Sequence, residues 1–234
     1  MTPHSIADFA IQGLRRGAPD FRVLYKYQTI SQYSIDALRN GYLYFSSFAQ
    51  LNDPFDPFMT LMASHLPEVG VAVLEKGPKI FCVTAEPFHP LMWAHYANSY
   101  AGMRIGYAVF VGNPRLFNPV KYVSDFSGRY NIMELLMLKH AHWEGEAEWR
   151  ACFPGDEHKY HGIAHPISVC LGPRATTADM EMVRDALPDT VRDFEIIFPI
   201  INESRPEFAT YDISAITSHY GKIPSLEELF TEKG

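Results

Sequence analysis

The strand-like segments of this chain come in runs, and that limits its fold more than any other feature. Phe21–Tyr27, Tyr42–Ser46, Lys79–Thr84, Met103–Val111, Val120–Val123, Ala147–Phe153, Ile167–Leu171, Phe194–Ile201 and Phe208–Ile213 are rich in β-branched and aromatic residues and read as strands. A doubly wound parallel sheet needs a helix after nearly every strand, and that alternation is missing here. The expectation is an α+β fold with mixed or antiparallel sheets and flanking helices. Helices are expected from Ser31, as N-cap, through Leu38, stopped by Asn40-Gly41, and from Pro90 to about Tyr100. Further helices are expected over Ile132–His140, Thr177–Leu187 and Ser225–Phe230, the last opened by the capping box Ser225-Leu226-Glu227-Glu228. A short helix around Ile6–Leu14 belongs to a peripheral leader of residues 1–20, and residues 21–234 read as one domain because no stretch has linker composition.

Charge and cysteine usage narrow the function classes. With 20 Lys and Arg against 27 Asp and Glu, the net charge of −7 argues against a protein held on nucleic acid mainly by phosphate contacts. Cys82, Cys152 and Cys170 are odd in number, widely spaced and set among apolar residues, so they read as buried free thiols in a reducing compartment. No apolar run approaches a membrane span, and Met1–Asp8 lacks the basic start and apolar stretch of a secretory signal, so a cytoplasmic location is expected.

Four polar constellations are candidates for chemistry. In Leu24-Tyr25-Lys26-Tyr27 a strand points the two phenols one way and the ammonium the other, which suits a pocket wall or a half-buried edge strand. Tyr44 and Ser46 lie in the next strand, followed by the loop Asn52-Asp53-Pro54-Phe55-Asp56-Pro57. There the prolines pre-organise polar side chains that either bind a ligand or cap their own backbone. Trp93, His95 and Tyr96 sit on the Pro90 helix, as core residues or as binding residues. Glu146, Glu148 and Arg150 share one face if a strand begins at Glu146. Two carboxylates and a guanidinium on one face are exposed, paired or functional.

His158, His161 and His165 have a spacing that invites a zinc reading, but Gly162 and Pro166 break the helix that would align them. Phosphate-binding glycine loops, nucleophile elbows and Cys-x-x-Cys pairs are absent from the sequence. No metal and no tightly bound cofactor is expected.

Taken in order, Leu24–Tyr27, Asn40–Ser47, Asn52–Asp56, Leu91–Ala97, Glu148–Arg150 and Ile167–Arg174 resemble a bacterial family classified as domain-of-unknown-function family 2971. The likeness covers roughly residues 22–190 and carries no established activity. The run Leu24–Ser47 is also similar to the start of the ADP-ribosyltransferase fold. That likeness implies NAD as substrate, with Tyr25-Lys26-Tyr27 at a first-strand station for the nicotinamide ribose and Tyr44 or Ser46 at the second station. It makes Glu148 the acid that orients a ribose hydroxyl, Glu146-Ala147-Glu148 standing for a Glu-x-Glu motif, with Arg150 or Lys26 meeting phosphate. The first station departs from the pattern, since Lys26 is its only cation. The resemblance thus implies a transferase or NAD glycohydrolase, a toxin or phage-defence effector, with a protein or nucleic acid as acceptor. Two alternatives stand beside it: a non-catalytic module that binds a nucleotide or a protein partner, and a metal-dependent hydrolase using His140–His165 or Asp53 and Asp56.

Overall fold

A computed structural model of the chain describes residues 11–53, 56, 77–113, 115–202 and 204–220. It is an α+β structure with one large mixed sheet, two small two-stranded sheets and helices. The large sheet has eight strands in the order β12-β11-β10-β4-β1-β3-β8-β5. These are β1 (Phe21–Gln28), β3 (Lys79–Thr84), β4 (Met103–Phe110), β5 (Asn118–Pro119), β8 (Glu148–Phe153), β10 (Ala164–Leu171), β11 (Asp193–Asn202) and β12 (Arg205–Asp212). The small sheets pair β2 (Tyr42–Tyr44) with β9 (Lys159–His161), antiparallel, and β6 (Lys121–Val123) with β7 (Leu138–His140), parallel.

The chain divides into two compact units. The first contains Met1–Leu24, Tyr42–Pro87 and Ala108–Ala164; the second contains Tyr25–Gly41, Phe88–Tyr107 and His165–Gly234. In the first unit, β3 and β8 pair antiparallel with Thr84 opposite Glu148 and Cys82 opposite Arg150. An even-numbered row on β8 (Glu148, Arg150, Cys152) therefore shares a face with Thr84, Cys82 and Ile80. Beside it lies an apolar cluster of Phe48, Ile80, Leu135, Leu136 and Leu138.

In the second unit, helix α1 (Gln32–Asn40) is opened by the Ser31 hydroxyl, which accepts from the Ser34 amide, and is closed by left-handed Gly41. Both ends are where Ser and Gly were expected to place them. β10 and β11 run parallel because helix α4 (Thr177–Arg184) carries the chain between them. The β11–β12 pair is an antiparallel hairpin, and α5 (Ile213–Tyr220) follows it.

Several boundaries differ from the sequence expectation. Helix α2 runs Pro90–Tyr96 and stops four residues short of Tyr100. Asn98, Ser99 and Tyr100 instead hold φ of 47°, 52° and 72°, three successive non-glycine residues in the left-handed region. Each costs about 1–2 kcal/mol relative to a right-handed residue, so packing must hold them there. The Gly102 amide donates to the Ala97 carbonyl at 2.7 Å, and the Arg174 amide donates to the Tyr100 carbonyl at 3.1 Å. The Tyr100 ring stacks on Trp93.

Gly172 makes this approach feasible. A Cβ there would lie 2.1 Å from the Tyr100 carbonyl oxygen, a backbone atom that has no rotamer by which to escape. Gly172→Ala is therefore expected to cost about 1–3 kcal/mol, the usual range for overpacking. A urea midpoint equal to wild type would show that the turn is not seated this tightly.

The expected helix Ile132–His140 is a second correction. Only α3 (Ile132–Leu136) is helical, and Leu138–His140 is strand β7. Leu135, Leu136 and Leu138 are all buried, a pattern that fits either period over so short a stretch. The expected strand Val120–Val123 is met by β6, Lys121–Val123, and the Val120 amide before it donates to the Glu148 carbonyl. The strand expected from Ala147 begins at Glu148, because Ala147 is left-handed at φ 42° and ends a 3-10 turn, Ala141–Glu146. Residues 11–15 are helical, in keeping with the expected leader helix. The Ser225–Phe230 expectation lies outside the described residues.

Candidate functional site

The first unit contains a buried ion-pair cluster. Arg150 is 1 % exposed, Glu148 6 %, Asp56 0 % and Lys139 3 %. Nε of Arg150 donates to one Glu148 oxygen at 2.6 Å, and Nη2 donates to Asp56 at 2.8 Å. Its Nη1 donates to the Leu136 carbonyl at 2.9 Å. Nζ of Lys139 donates to the other Glu148 oxygen at 2.8 Å and pairs with Glu146 as well. The Lys139 ammonium also lies over the Trp143 ring. Three carboxylates thus share two cations, and each cation is met by more than one acceptor, which is the condition for holding charge in the interior.

The electrostatics follow from that arrangement. Burial works against ionisation of Glu148, but Arg150 and Lys139 outweigh it and hold the carboxyl down at about 2. Burial likewise opposes the charge on Lys139, and Glu148 and Glu146 raise its pKa nonetheless. Glu146, Glu148 and Arg150 do come together, although through a turn and a strand rather than one strand face. They are paired in the interior, not as a ladder on the surface.

The second unit gathers the aromatic candidates. Tyr27 and Trp93 are buried in one cluster with Met92, Ala97, Cys170 and Ile197, and Tyr25, Tyr96 and Tyr100 pack against it half-buried. Tyr27 meets Trp93 edge-on at 5.1 Å. Arg104, on central strand β4, is 4 % exposed. Its guanidinium carbon lies over two rings, 4.9 Å from the Tyr25 centroid and 4.5 Å from the Phe88 centroid. The Tyr27 phenol accepts from the His89 amide at 3.3 Å and hydrogen-bonds Arg104. Burial pushes that phenol up to about 12. Burial also raises the Glu195 carboxyl, against the opposing pull of Arg104. Trp93 Nε1 and His89 Nδ1 are buried atoms with no hydrogen-bond partner among the described residues. An unmet buried donor costs about 1–3 kcal/mol and is uncommon in native interiors.

The remaining candidates are dispersed. Lys26 is on β1 and half-buried. Tyr44 is 41 % exposed and stacks on His158 at 5.2 Å. Ser46 exchanges backbone hydrogen bonds with Ile80. Asn52 is exposed, Asp53 is buried, and the Asp56 amide donates to the Asp53 carbonyl. His95 is exposed and meets Tyr96 edge-on. Tyr25, Lys26, Tyr27, Trp93, His95 and Tyr96 belong to the second unit, and Tyr44, Ser46, Asn52, Asp53, Glu146, Glu148 and Arg150 to the first.

The chain matches no family model, no curated protein and no solved structure. No group of three or more His, Cys, Asp or Glu converges on a metal position among the described residues. His140 spends both ring nitrogens nearby, Nε2 on the Ser124 carbonyl and Nδ1 on the His142 amide. Cys152 and Cys170 are free thiols pushed up to about 12 by burial, so they stay protonated and unreactive at neutral pH. Among the described residues no helix is long and apolar enough to cross a membrane.

Sequence reasoning missed Arg104, Lys139, Phe88, His89 and Glu195. Arg104 had a usable signal: it is the one charged residue in the apolar run Met103–Val111, and a cation in a central strand must find compensation. Lys139 had none, because the segment Ile132–His140 was read as a helix.

Proposed function

We propose that the chain binds NAD or a related nucleotide through the aromatic residues of its second unit. The observation behind this reading is that Tyr25 and Tyr27 of one segment join Trp93 and Tyr96 of another in one partly exposed cluster. Rings of this kind stack on nucleobases and nicotinamide alike. Thermal unfolding with added NAD tests it. At a hundred times its Kd a ligand adds about 2.7 kcal/mol to the stability of the folded state. Tyr25→Ala is expected to erase that gain. A melting temperature unmoved by NAD, ADP and AMP would end the proposal.

A second reading, ADP-ribosyl transfer, draws on the ionised state of Glu148 at the head of β8. Departure of nicotinamide leaves an oxocarbenium-like ribose, which a fixed carboxylate stabilises while orienting a ribose hydroxyl. Both Glu148 oxygens accept from cations in the resting arrangement, so this chemistry requires Lys139 to release one of them. The acceptor would be a protein or nucleic acid, in a toxin or phage-defence setting. Glu148→Gln is expected to slow NAD consumption by about 10²-fold or more, as for loss of one preorganised group that stabilises transition-state charge. Equal turnover in wild type and variant would remove Glu148 from the chemistry.

A further inference from the structure

We propose that Tyr122 and Trp143 of the first unit form a binding site for a neutral sugar ring at the mouth of the buried ion-pair cluster. The site goes beyond both readings above, because it needs neither a nucleotide nor a reaction. Strands β6 and β7 set Tyr122 directly opposite Lys139, so the two side chains leave the small sheet on one face. The Tyr122 oxygen accepts from the Glu148 amide at 2.8 Å, and the Lys139 ammonium lies 4.8 Å from the centre of the Trp143 ring. Lys139 and Glu148 are buried, whereas Tyr122 and Trp143 are half-buried. The two rings are where this end of the cluster meets solvent.

The chemistry of the Tyr122 hydroxyl narrows the ligand. Burial raises the phenol above the usual tyrosine range, so at neutral pH it keeps its single proton and acts as a donor. The Glu148 amide occupies one lone pair of the oxygen, and among the described residues no acceptor meets the proton. That proton is on offer to a ligand oxygen. At the phenol two carboxylates, Glu148 and Glu146, act against one ammonium, Lys139, which disfavours a phosphate there. A sugar hydroxyl accepts from the phenol without bringing charge. The C–H groups of a sugar ring are made weakly positive by their oxygens, and they pack on the electron-rich face of an indole such as Trp143.

Tryptophan fluorescence of the full chain, titrated with ribose, glucose and ribose phosphate, tests the site. Wild type is expected to show a saturable change with a neutral sugar and to bind ribose phosphate several-fold more weakly than ribose. Trp143→Phe should silence the change although Trp93 and Trp149 remain. Tyr122→Phe removes only the hydroxyl and should weaken the sugar about tenfold, the scale of one hydrogen bond. Melting temperatures show whether each variant is folded. Trp143→Phe, at a half-buried position, carries the test if Tyr122→Phe unfolds by leaving the Glu148 amide unmet. No saturable change with either neutral sugar, a change that survives Trp143→Phe, affinity unaltered in folded Tyr122→Phe, or a preference for ribose phosphate would overturn the site. Both readings of the proposed function would stand after such a failure. Sugar binding through Tyr122 and Trp143 without any response to NAD would uphold the site and count against those readings.

Discussion

Replacing Arg150 by methionine is expected to remove about 3–5 kcal/mol of folding stability, the range for breaking a buried pair from one side. The side chain of methionine fills much of the same space, so the loss is electrostatic more than steric. Asp56 and Glu148 would be left in the interior without the guanidinium that meets both. The carbonyls of Leu136 and Leu138 would lose their donor as well. Urea unfolding followed by circular dichroism at neutral pH measures the effect, and a loss below 1 kcal/mol would mean that water or relaxation compensates the acids.

The same cluster fixes how stability responds to acid. The Glu148 carboxyl is lowered in the folded chain to about 2 from an ordinary 4.5. A depressed carboxyl contributes its stabilisation fully above the unfolded value and loses it as pH falls through the folded one. Wild type should therefore weaken between about pH 4.5 and 2, and the gap between wild type and Arg150→Met should narrow over that interval. A gap that stays constant from pH 7 to pH 2 would place the energetic role of Arg150 elsewhere.

Trp93→Ala is expected to be of comparable size in the second unit, about 3–5 kcal/mol, as for deletion of a large buried ring. Trp93 is wholly buried and touches Tyr27 edge-on and Tyr100 face to face. Removing it takes away the surface on which the left-handed segment rests. Trp93→Phe should cost far less, because the indole N–H it gives up has no partner among the described residues. Denaturant midpoints for the two variants decide the matter. Near-equal losses would reveal a hydrogen bond to that N–H in solution.

The fold class was readable because strand segments such as Lys79–Thr84 and Met103–Phe110 are long enough to declare themselves by composition. Short segments were not. Leu138–His140 has three residues, too few to show a period, and its strand character comes from pairing with Lys121–Val123. Helix α2 stopped early for a tertiary reason, the docking of Tyr100 against Trp93 and Gly172. For the site, residue type was informative and assembly was not. Glu148 and Arg150 advertise a charge that must be matched, but nothing in the chain names Lys139 and Asp56 as the matches. Aromatic residues at 25–27 and 93–96 were singled out as candidates, whereas the arginine among them, Arg104, was passed over inside a strand.

The three-residue reversal at Asn98–Tyr100 bears on the order in which the molecule assembles. An isolated peptide would abandon that conformation, so the segment acquires it only when β10 and the Gly172 turn have arrived to receive it. The amides of Gly102, Gly172 and Arg174, whose bonds span this junction, should then exchange with deuterium at a common rate, as one late-closing latch.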